Sequence, residues 1–458
     1  MHTVCKKRQE LTVSEVCGTQ RHDQSLVVRI KPPTDFMKIK VKKRSYAELE
    51  AAYRSRQKKH KRPKRPSLFF RTLMKLVALP DMMATHFKCE KIGMEKLGKN
   101  EPAFFIMNHS SFIDLEITAT ALYPRAFNIV ATTDAFIGKE WLMRQIGCIP
   151  TKKFVADITM VRDMVYAAKK KKCSIVMFPE AGYTFDGTAT TMSDSLGKCV
   201  KLLGIPLVSV ITEGAFLRDP LYNNLQRRKV KVSAKMEYLL TADEVKSMSA
   251  EEISAIIAEK FAFDGFKWQK ENGIKISESF RADGLERLLY KCPDCQSEGR
   301  MLGKGISLKC NACGAEYSLS EYGVLVATSA KNGFSHIPDW YKWEREEVKK
   351  ELLDDRYLLD IPVNIYVSFE PKNVFDVGSG RLVHDKNGFR LTSDDGEIDY
   401  TQKPLSCYSI NSDFNWYEIG DIISIGNNER LFYCFPTDQS VPVAKARLAA
   451  EELYKLNK

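Results

Sequence analysis

The chain has 458 residues, of which 44% are hydrophobic and 28% charged. This ordinary balance excludes disorder along the whole chain and a fibrous repeat, and at roughly 150 residues per domain the length predicts about three domains. The formal net charge is +12, and most of it lies in residues 38–65, where 13 Lys and Arg face two acidic residues. An excess of positive charge confined to one segment indicates a local contact with an anionic membrane or nucleic acid. It argues against a whole domain that binds along a nucleic-acid backbone.

The sequence predicts neither a membrane-spanning helix nor a secretory signal. A spanning helix needs about 18 apolar residues with few charges, and the best candidate, residues 67–87, is interrupted by Arg71, Lys75 and Asp81. No apolar stretch follows the charged residues at the start. Eight of the twelve cysteines are scattered without the spacing of a disulfide framework, which is typical of reduced thiols. We therefore expect a cytoplasmic protein.

Residues 1–66 are predicted to form a basic N-terminal arm, with a helix over residues 46–59. Residues 68–77 then carry apolar side chains at helical spacing around two basic residues, which predicts an amphipathic helix. Two interpretations stay open for this helix. It packs its apolar face on the core, or it lies at the inner face of a membrane, because the basic run before it attracts anionic lipid.

An α/β domain is predicted over residues 67–285. Three apolar stretches are typical of buried strands: residues 103–107, 174–178 and 206–211. Helical patterns such as residues 158–172 lie between them, and this alternation indicates an α/β domain. A further helix is predicted to begin at about Ser249, where Glu252 completes a capping box.

A histidine and an aspartate follow the first predicted strand. His109 stands directly after it and Asp114 five residues later, at the strand end where ligands bind in α/β domains. If the chain folds back there, the carboxylate can fix one ring nitrogen and leave the other free as a general base. The alternative is a His-Asp pair that caps a helix or bonds to the backbone.

A carboxylate also follows the second predicted strand, at Glu180. With the His-Asp pair and two further motifs it forms an ordered set: Asn108-His109-x4-Asp114, Gly147-Cys148-Ile149-Pro150-Thr151-Lys152-Lys153, Phe178-Pro179-Glu180 and Ile205-Pro206-Leu207-Val208. In order and spacing these four motifs resemble those of the glycerolipid acyltransferase family, typified by 1-acyl-sn-glycerol-3-phosphate acyltransferase. The resemblance covers about residues 67–265.

The resemblance implies a mixed sheet with flanking helices. It implies transfer of an acyl group from acyl-CoA or acyl-carrier protein to the free hydroxyl of a lysophospholipid, most simply lysophosphatidate. His109 would be the general base and Asp114 would orient it, with no metal in the chemistry. The residues implied to bind the acceptor are Asn108, Lys152, Lys153, Pro179, Glu180 and Gly182.

The third motif departs from the family pattern. Ala181, Gly182 and Tyr183 stand where the family has glycine, a small hydroxyl residue and a basic residue. Lys152 and Lys153 are the candidates to bind an acceptor phosphate instead. A lysine ammonium would bind it as a point charge, without the two parallel hydrogen bonds that an arginine can donate. Both lysines could equally be solvated. If neither does so, the acceptor is not expected to be a simple phosphate monoester.

The remaining sequence predicts two further domains. Residues 286–322 contain Cys292-x2-Cys295 and Cys310-x2-Cys313, a spacing that predicts a structural four-cysteine zinc ribbon. Residues 323–458 are expected to be β-rich, with turn signals at residues 386–388 and 394–396 and a final helix over residues 441–456. This outline of strands followed by one helix resembles a pleckstrin-homology-like module.

Three functions are compatible with these motifs. The first is a peripheral membrane lysophospholipid acyltransferase. The second, a nucleic-acid-binding protein, is not expected, because the basic segment lies far along the chain from a ribbon that carries no strong positive charge. The third is a membrane-tethered scaffold that has lost activity. The intact Asn108, His109, Asp114 and Glu180 argue against it, whereas the altered third motif keeps it open.

Overall fold

The computed structural model describes residues 39, 41–55, 60–155, 157–370 and 373–458. Much of the predicted basic arm, residues 1–38, 40 and 56–59, lies outside these residues, as do the cysteines at positions 5 and 17. Within the described ranges, every helix is too short or too polar to cross a membrane.

The first described elements pack against the C-terminal part of the chain. They are strand β1 (Lys42–Lys43) and helix α1 (Tyr46–Arg54). Ser45 accepts a hydrogen bond from the Glu48 N–H at the start of α1 and donates its own hydroxyl to Glu397 at 3.0 Å. Glu50 pairs with Arg430 at 2.5 Å. This part of the predicted arm is therefore attached to the C-terminal domain.

Helix α2 (Leu68–Ala84) confirms the amphipathic helix predicted for residues 68–77 and extends it. Ser67 caps it by accepting a hydrogen bond from the Phe70 N–H. Residues four apart share one helix face, and that face packs on the core through Phe70, Met74, Ala78 and Met82. The other face leaves Leu68, Phe69, Leu73, Leu76, Val77, Leu79 and Met83 exposed. The core-packing interpretation is confirmed for one face, and the interfacial interpretation of the other face stays a prediction.

A seven-stranded mixed sheet forms the centre of the α/β domain, in the order β2-β8-β7-β3-β6-β4-β5. Its strands are β2 (Lys88–Ile92), β3 (Phe104–Met107), β4 (Phe127–Thr132), β5 (Cys148–Thr151), β6 (Ser174–Met177), β7 (Leu207–Glu213) and β8 (Ser233–Leu240). All neighbours are parallel except β7 and β8. The predicted α/β class and mixed sheet are confirmed.

Helices cover both faces of this sheet. They are α3 (Asp114–Ala121), α4 (Glu140–Gln145), α5 (Ile158–Lys169), α6 (Leu196–Leu203), α7 (Ala215–Arg218), α8 (Ala242–Ser247), α9 (Ala250–Lys260) and α10 (Gly265–Glu271). Alternate residues of a strand point to opposite faces. Phe105 and Met107 accordingly pack with α2 and α3, whereas Phe104 and Ile106 pack with α5, α6 and α9. The predicted capping box at the start of α9 is present.

The four cysteines lie at a small antiparallel sheet of order β12-β11-β10-β9, and Cys310 is the last residue of one of its strands. Its strands are β9 (Met301–Lys304), β10 (Ser307–Cys310), β11 (Glu316–Leu319) and β12 (Leu325–Ala327). Helix α11 (Ile337–Leu353) follows, inside the region that was expected to be β-rich. Its Trp340 is fully buried and donates its indole N–H to the Lys291 carbonyl at 3.1 Å. This contact packs α11 against the cysteine-containing segment.

The C-terminal sheet has the order β16-β15-β14-β13-β19-β18-β17, and β1 pairs with β14. Its strands are β13 (Leu359–Ser368), β14 (Phe375–Asp385), β15 (Gly388–Ser393), β16 (Asp399–Gln402), β17 (Asn411–Trp416), β18 (Gly420–Gly426) and β19 (Leu431–Pro436). Helix α12 (Val443–Asn457) ends the fold. The β-rich region and its final helix are confirmed, and the pleckstrin-homology-like resemblance stays a prediction.

Candidate active site

The candidate site lies at the carboxyl ends of β3 and β6. These two strands are parallel neighbours, so the residues that follow each of them meet at one edge of the sheet. Glu180 lies just beyond β6, and its Oε2 accepts the backbone N–H of His109 at 2.7 Å. Its Oε1 accepts the N–H of Thr190 at 2.8 Å. The first and third sequence motifs are therefore joined by one carboxylate.

Asp114 orients the His109 ring. Its Oδ2 lies 3.0 Å from Nδ1 of the imidazole and also accepts the backbone N–H groups of Ser110 and Ser111, at 2.8 and 3.1 Å. Since a carboxylate accepts, Nδ1 carries a proton, and in the neutral ring Nε2 then keeps its lone pair. The Asp114 side chain is 1% exposed and that of His109 is 22% exposed. No described residue hydrogen-bonds Nε2, so this nitrogen is not committed to another protein group.

Two aromatic rings flank this imidazole. Phe178 stacks on it at a centroid distance of 4.1 Å and an angle of 19°, and Tyr183 lies at 4.3 Å and 49°. The Thr184 N–H donates to the His109 carbonyl at 2.9 Å. The loop after β6 therefore holds both the backbone and the ring of His109. Sequence reasoning named Tyr183 only as a departure from the family pattern and did not assign it to the site.

The predicted acceptor-binding residues of the first and third motifs are buried. Asn108 ties β3 to β7, because its Oδ1 accepts the Thr212 N–H at 2.8 Å and its Nδ2 donates to the Thr212 carbonyl at 3.3 Å. Pro179, Glu180 and Gly182 are buried in the loop after β6. Glu180 supports the His109 backbone from inside the protein, and acceptor binding by Asn108, Pro179, Glu180 and Gly182 stays a prediction.

Lys152 and Lys153 are turned toward the C-terminal domain. The Lys152 Nζ donates to the carbonyl of Asn428 at 2.8 Å. The Lys153 Nζ donates to Asn411 Oδ1 at 3.1 Å and lies 3.8 Å from Asp413 Oδ2. Both ammonium groups are therefore engaged by the C-terminal domain, and their contact with an acceptor phosphate stays a prediction.

The C-terminal domain reaches the loop that holds Glu180. Phe414 stacks on Phe185 at 4.5 Å, and the Arg447 guanidinium lies 4.6 Å from the Phe185 ring centre. Thr191 donates its hydroxyl to Glu451 at 3.2 Å. Sequence reasoning missed these contacts, because more than 200 residues separate the partners in the chain and no motif marks them.

Several carboxyl groups near the site have raised pKa values. Burial raises the pKa of Glu180 to about 7, although the N–H groups of His109 and Thr190 oppose this shift. Burial likewise raises the pKa of Asp219 to about 7 and that of Asp413 to about 6, against the attraction of Arg218 and Lys153 respectively. Titratable groups shifted toward neutral pH and gathered beside a base are typical of an active site.

Comparison with known proteins agrees with this geometry. Residues 88–213 match the family model described as acyltransferase. This segment is an acyltransferase domain. It contains His109, Asp114 and Glu180, and the predicted family and enzyme class are confirmed for it.

A solved structure that is similar to part of the chain shows the same kind of match. It is the crystal structure of the 1-acyl-sn-glycerophosphate (LPA) acyltransferase PlsC from Thermotoga maritima, with a TM-score of 0.36 and 16% identity over 42% of this chain and 76% of that one. No curated protein matches the chain.

The four predicted metal ligands come together outside the acyltransferase domain. One sulfur atom from each of Cys292, Cys295, Cys310 and Cys313 lies within 4.8 Å of all the others. Two Sγ–Sγ distances, Cys292 to Cys313 and Cys295 to Cys310, are 3.7 Å. Zinc–sulfur bonds of about 2.3 Å in a tetrahedron give sulfur separations of about 3.8 Å. The cluster could hold a metal ion, and its spacing fits zinc.

The raised pKa of Glu180 predicts a pH-dependent stability difference. The folded-state pKa of about 7 exceeds the ordinary 4.5, so between these values the folded chain retains a proton that the unfolded chain has lost. The contribution of Glu180 to stability is therefore full at low pH and falls as pH rises toward 7. In urea unfolding, the stability of the wild type relative to Glu180→Gln should fall between pH 5 and 8, by up to about 3 kcal/mol.

Glu140→Gln is the control for this measurement. A hydrogen bond from Lys61 lowers the pKa of Glu140. The contribution of Glu140 to stability is therefore lost only when the pH falls below the ordinary carboxyl pKa. The stability difference between the wild type and Glu140→Gln should be constant between pH 5 and 8. If the stability of the wild type relative to Glu180→Gln stayed constant or increased with pH, the raised pKa of Glu180 would be contradicted.

Proposed function

We propose that this protein transfers a fatty acyl group from acyl-CoA or acyl-carrier protein to the free hydroxyl of a lysophospholipid. The observation that carries the proposal is the His109–Asp114 pair, with Nδ1 bound at 3.0 Å and Nε2 unengaged, inside an acyltransferase domain. Lysophosphatidate, that is 1-acyl-sn-glycerol-3-phosphate, is the acceptor implied by the family resemblance. Acyl transfer of this kind belongs to phospholipid biosynthesis.

The mechanism needs one base at the position of Nε2. His109 removes the hydroxyl proton of the acceptor as its oxygen attacks the thioester carbonyl, so that a carbon–oxygen bond forms. The tetrahedral intermediate then expels the thiolate, and the imidazolium returns the proton to the leaving sulfur. A thioester is already activated, so positioning and proton transfer supply much of the rate. Backbone N–H groups would stabilise the oxyanion.

We also propose that the protein binds the inner, cytoplasmic face of an anionic membrane. Phe69, on the exposed face of α2, contacts Phe70 edge to face at 5.3 Å, and Phe70 contacts Trp141, which is 68% exposed, edge to face at 6.0 Å. The exposed cations Lys61, Arg62, Lys64 and Arg65 directly precede α2. An apolar face beside positive charge is the combination that holds amphipathic helices at anionic lipid surfaces.

The four-cysteine cluster is proposed to bind a structural zinc ion. Cys292, Cys295, Cys310 and Cys313 supply four thiolates, which would close the coordination sphere and leave no open position for catalysis. Zinc there stabilises the fold of the ribbon. Since Trp340 and Lys291 connect this segment to α11, loss of the metal would also loosen that packing.

Thiol release from a long-chain acyl-CoA tests the acyl transfer. With lysophosphatidate or another lysophospholipid present, the wild type should release thiol in an acceptor-dependent way, and His109→Ala should lower the rate by about 100-fold or more, because the base is lost. His60→Ala is the matched control, since His60 also pairs with a carboxylate, Asp163 at 2.8 Å, away from the site. Release that His109→Ala left unchanged would refute the mechanism, and inactivity with every donor and lysolipid would favour a scaffold.

Metal analysis tests the zinc site. The purified protein should contain about one zinc ion per chain, as a four-thiolate structural site requires. Cys310→Ser should abolish the zinc content and lower the thermal unfolding temperature, because metal binding contributes to folding. Cys89→Ser, outside the cluster, should retain the metal. A zinc-free wild type that unfolds at the same temperature with and without added zinc would contradict this assignment.

Vesicle co-sedimentation tests the membrane contact. Leu76→Asp on α2 should weaken binding to anionic vesicles several-fold, because it places a charge in the apolar face. Leu353→Asp is the matched control: both leucines are in helices, and they are 59% and 62% exposed. Equal binding by the two variants would show that α2 does not contact the lipid.

A further inference from the structure

A cavity of about 320 Å³ lies between the loop after β6 and helices α11 and α12. Residues 185, 186 and 188–190 of the loop line it, together with residues of the two helices. The side chains that contact the His109 imidazole, those of Asp114, Phe178 and Tyr183, are not part of this lining. Its volume is in the range of small-molecule sites, so the cavity is a candidate site separate from the proposed base.

Two buried side chains of the lining carry polar groups without a partner. The Arg447 side chain is 5% exposed, and its Nε donates to Glu451 at 3.1 Å. Neither of its Nη groups has a hydrogen-bond partner among the described residues. Tyr341 is 7% exposed, and its hydroxyl likewise has no partner there. Because buried polar groups in proteins are nearly always hydrogen-bonded, these donors indicate that a bound molecule supplies the missing acceptors.

The buried carboxylates of the lining are already occupied by donors. Both oxygens of Glu451 accept hydrogen bonds, as do both oxygens of Asp186 and of Asp264. The exposed Asp339 and Lys342, both in the first half of α11, have no side-chain partner among the described residues. The unused hydrogen-bonding capacity in the buried part of the cavity therefore belongs to donors, which favours a ligand with an anionic acceptor group.

The charges of the lining favour a ligand with one negative charge over a ligand with two. Arg345 and Arg447 are balanced by the glutamates that they bind, and Lys342 is balanced by Asp339. The cavity therefore has no surplus of positive charge to offset a phosphate monoester, which carries close to two charges at neutral pH. A carboxylate carries one charge, and its two oxygens match the parallel N–H groups of a guanidinium.

We propose that this cavity binds a small organic acid through its carboxylate. The Nη groups of Arg447 and the hydroxyl of Tyr341 donate to the carboxylate oxygens, and the Phe185 ring contacts the apolar body of the acid. Thr190 also lines the cavity, and its N–H donates to Glu180 at 2.8 Å. A bound acid therefore stabilises the loop that holds Glu180. The site does not depend on the acyl transfer proposed above.

Calorimetric titration of the full-length chain tests the site. Butyrate and benzoate are the carboxylate probes, and inorganic phosphate is the comparison, all at one ionic strength. Both carboxylates should bind saturably to one site per chain. Phosphate should bind at least about tenfold more weakly, because its second charge is left unpaired. Saturating benzoate should also slow amide hydrogen exchange in residues 185–191 several-fold, because a ligand that binds the folded loop opposes its opening.

Two substitutions in α11 assign the binding to this cavity. Tyr341→Phe keeps the buried ring and removes the donor, so the Kd for both carboxylates should rise about tenfold. Lys342→Met removes an exposed cation and should raise the Kd about two- to threefold. Lys349→Met is the control, since Lys349 lies in the same helix outside the lining, and its Kd should equal that of the wild type. Arg447 is kept in every variant, because its loss would leave Glu451 with one partner fewer.

Three results would overturn the proposal. The first is a wild type that binds neither carboxylate saturably. The second is tighter binding of phosphate than of both carboxylates, which would contradict the ligand class. The third is an unchanged Kd in both Tyr341→Phe and Lys342→Met, which would place the acids elsewhere on the protein. Because Lys342 is exposed, its substitution remains informative even if Tyr341→Phe fails to fold. None of these measurements uses acyl transfer, so a protein without that activity would leave their outcome unaffected.

Discussion

The catalytic edge of the sheet depends on one buried carboxylate. Glu180 is removed from water, which is costly for a charged group unless it is well hydrogen-bonded, and both of its oxygens accept a backbone N–H. Since one donor is His109 itself, the same interaction that stabilises the buried carboxylate also fixes the backbone that carries the base. The imidazole is then oriented by Asp114 and enclosed by the rings of Phe178 and Tyr183.

The C-terminal domain stabilises the far end of the same loop through a buried ion cluster. Burial alone would raise the pKa of Glu451, but Arg345 and Arg447 lower it to about 2, so this group stays charged. Its oxygens accept hydrogen bonds from Ser409 and Thr191. Breaking a buried cluster of this kind leaves unpaired charge inside the protein. The loop is therefore held between Glu180 at one end and Glu451 at the other.

The sequence predicted those parts of the fold that depend on local pattern. Apolar periodicity identified the central strands and α2, and capping chemistry identified the start of α9. The His109–Asp114 pair followed from the strand-end position. The contacts of the Lys152 and Lys153 side chains with the C-terminal domain could not be predicted, because their partners Asn428 and Asn411 come close to them only in the folded chain. Helix α11 was missed although its Glu- and Lys-rich sequence is favourable for a helix, because the region was assigned as β-rich from its later strands.

The contact between Thr191 and Glu451 affects how the protein folds while it is being translated. The acyltransferase domain, residues 88–213, leaves the ribosome long before residue 451 has been made, and domains generally fold as units during synthesis. During that interval the loop after β6 lacks the partners that α12 and β17 later provide. The loop can reach its final arrangement only when α12 has been made and docks, which links maturation of the site to the synthesis of residues far downstream of the acyltransferase domain.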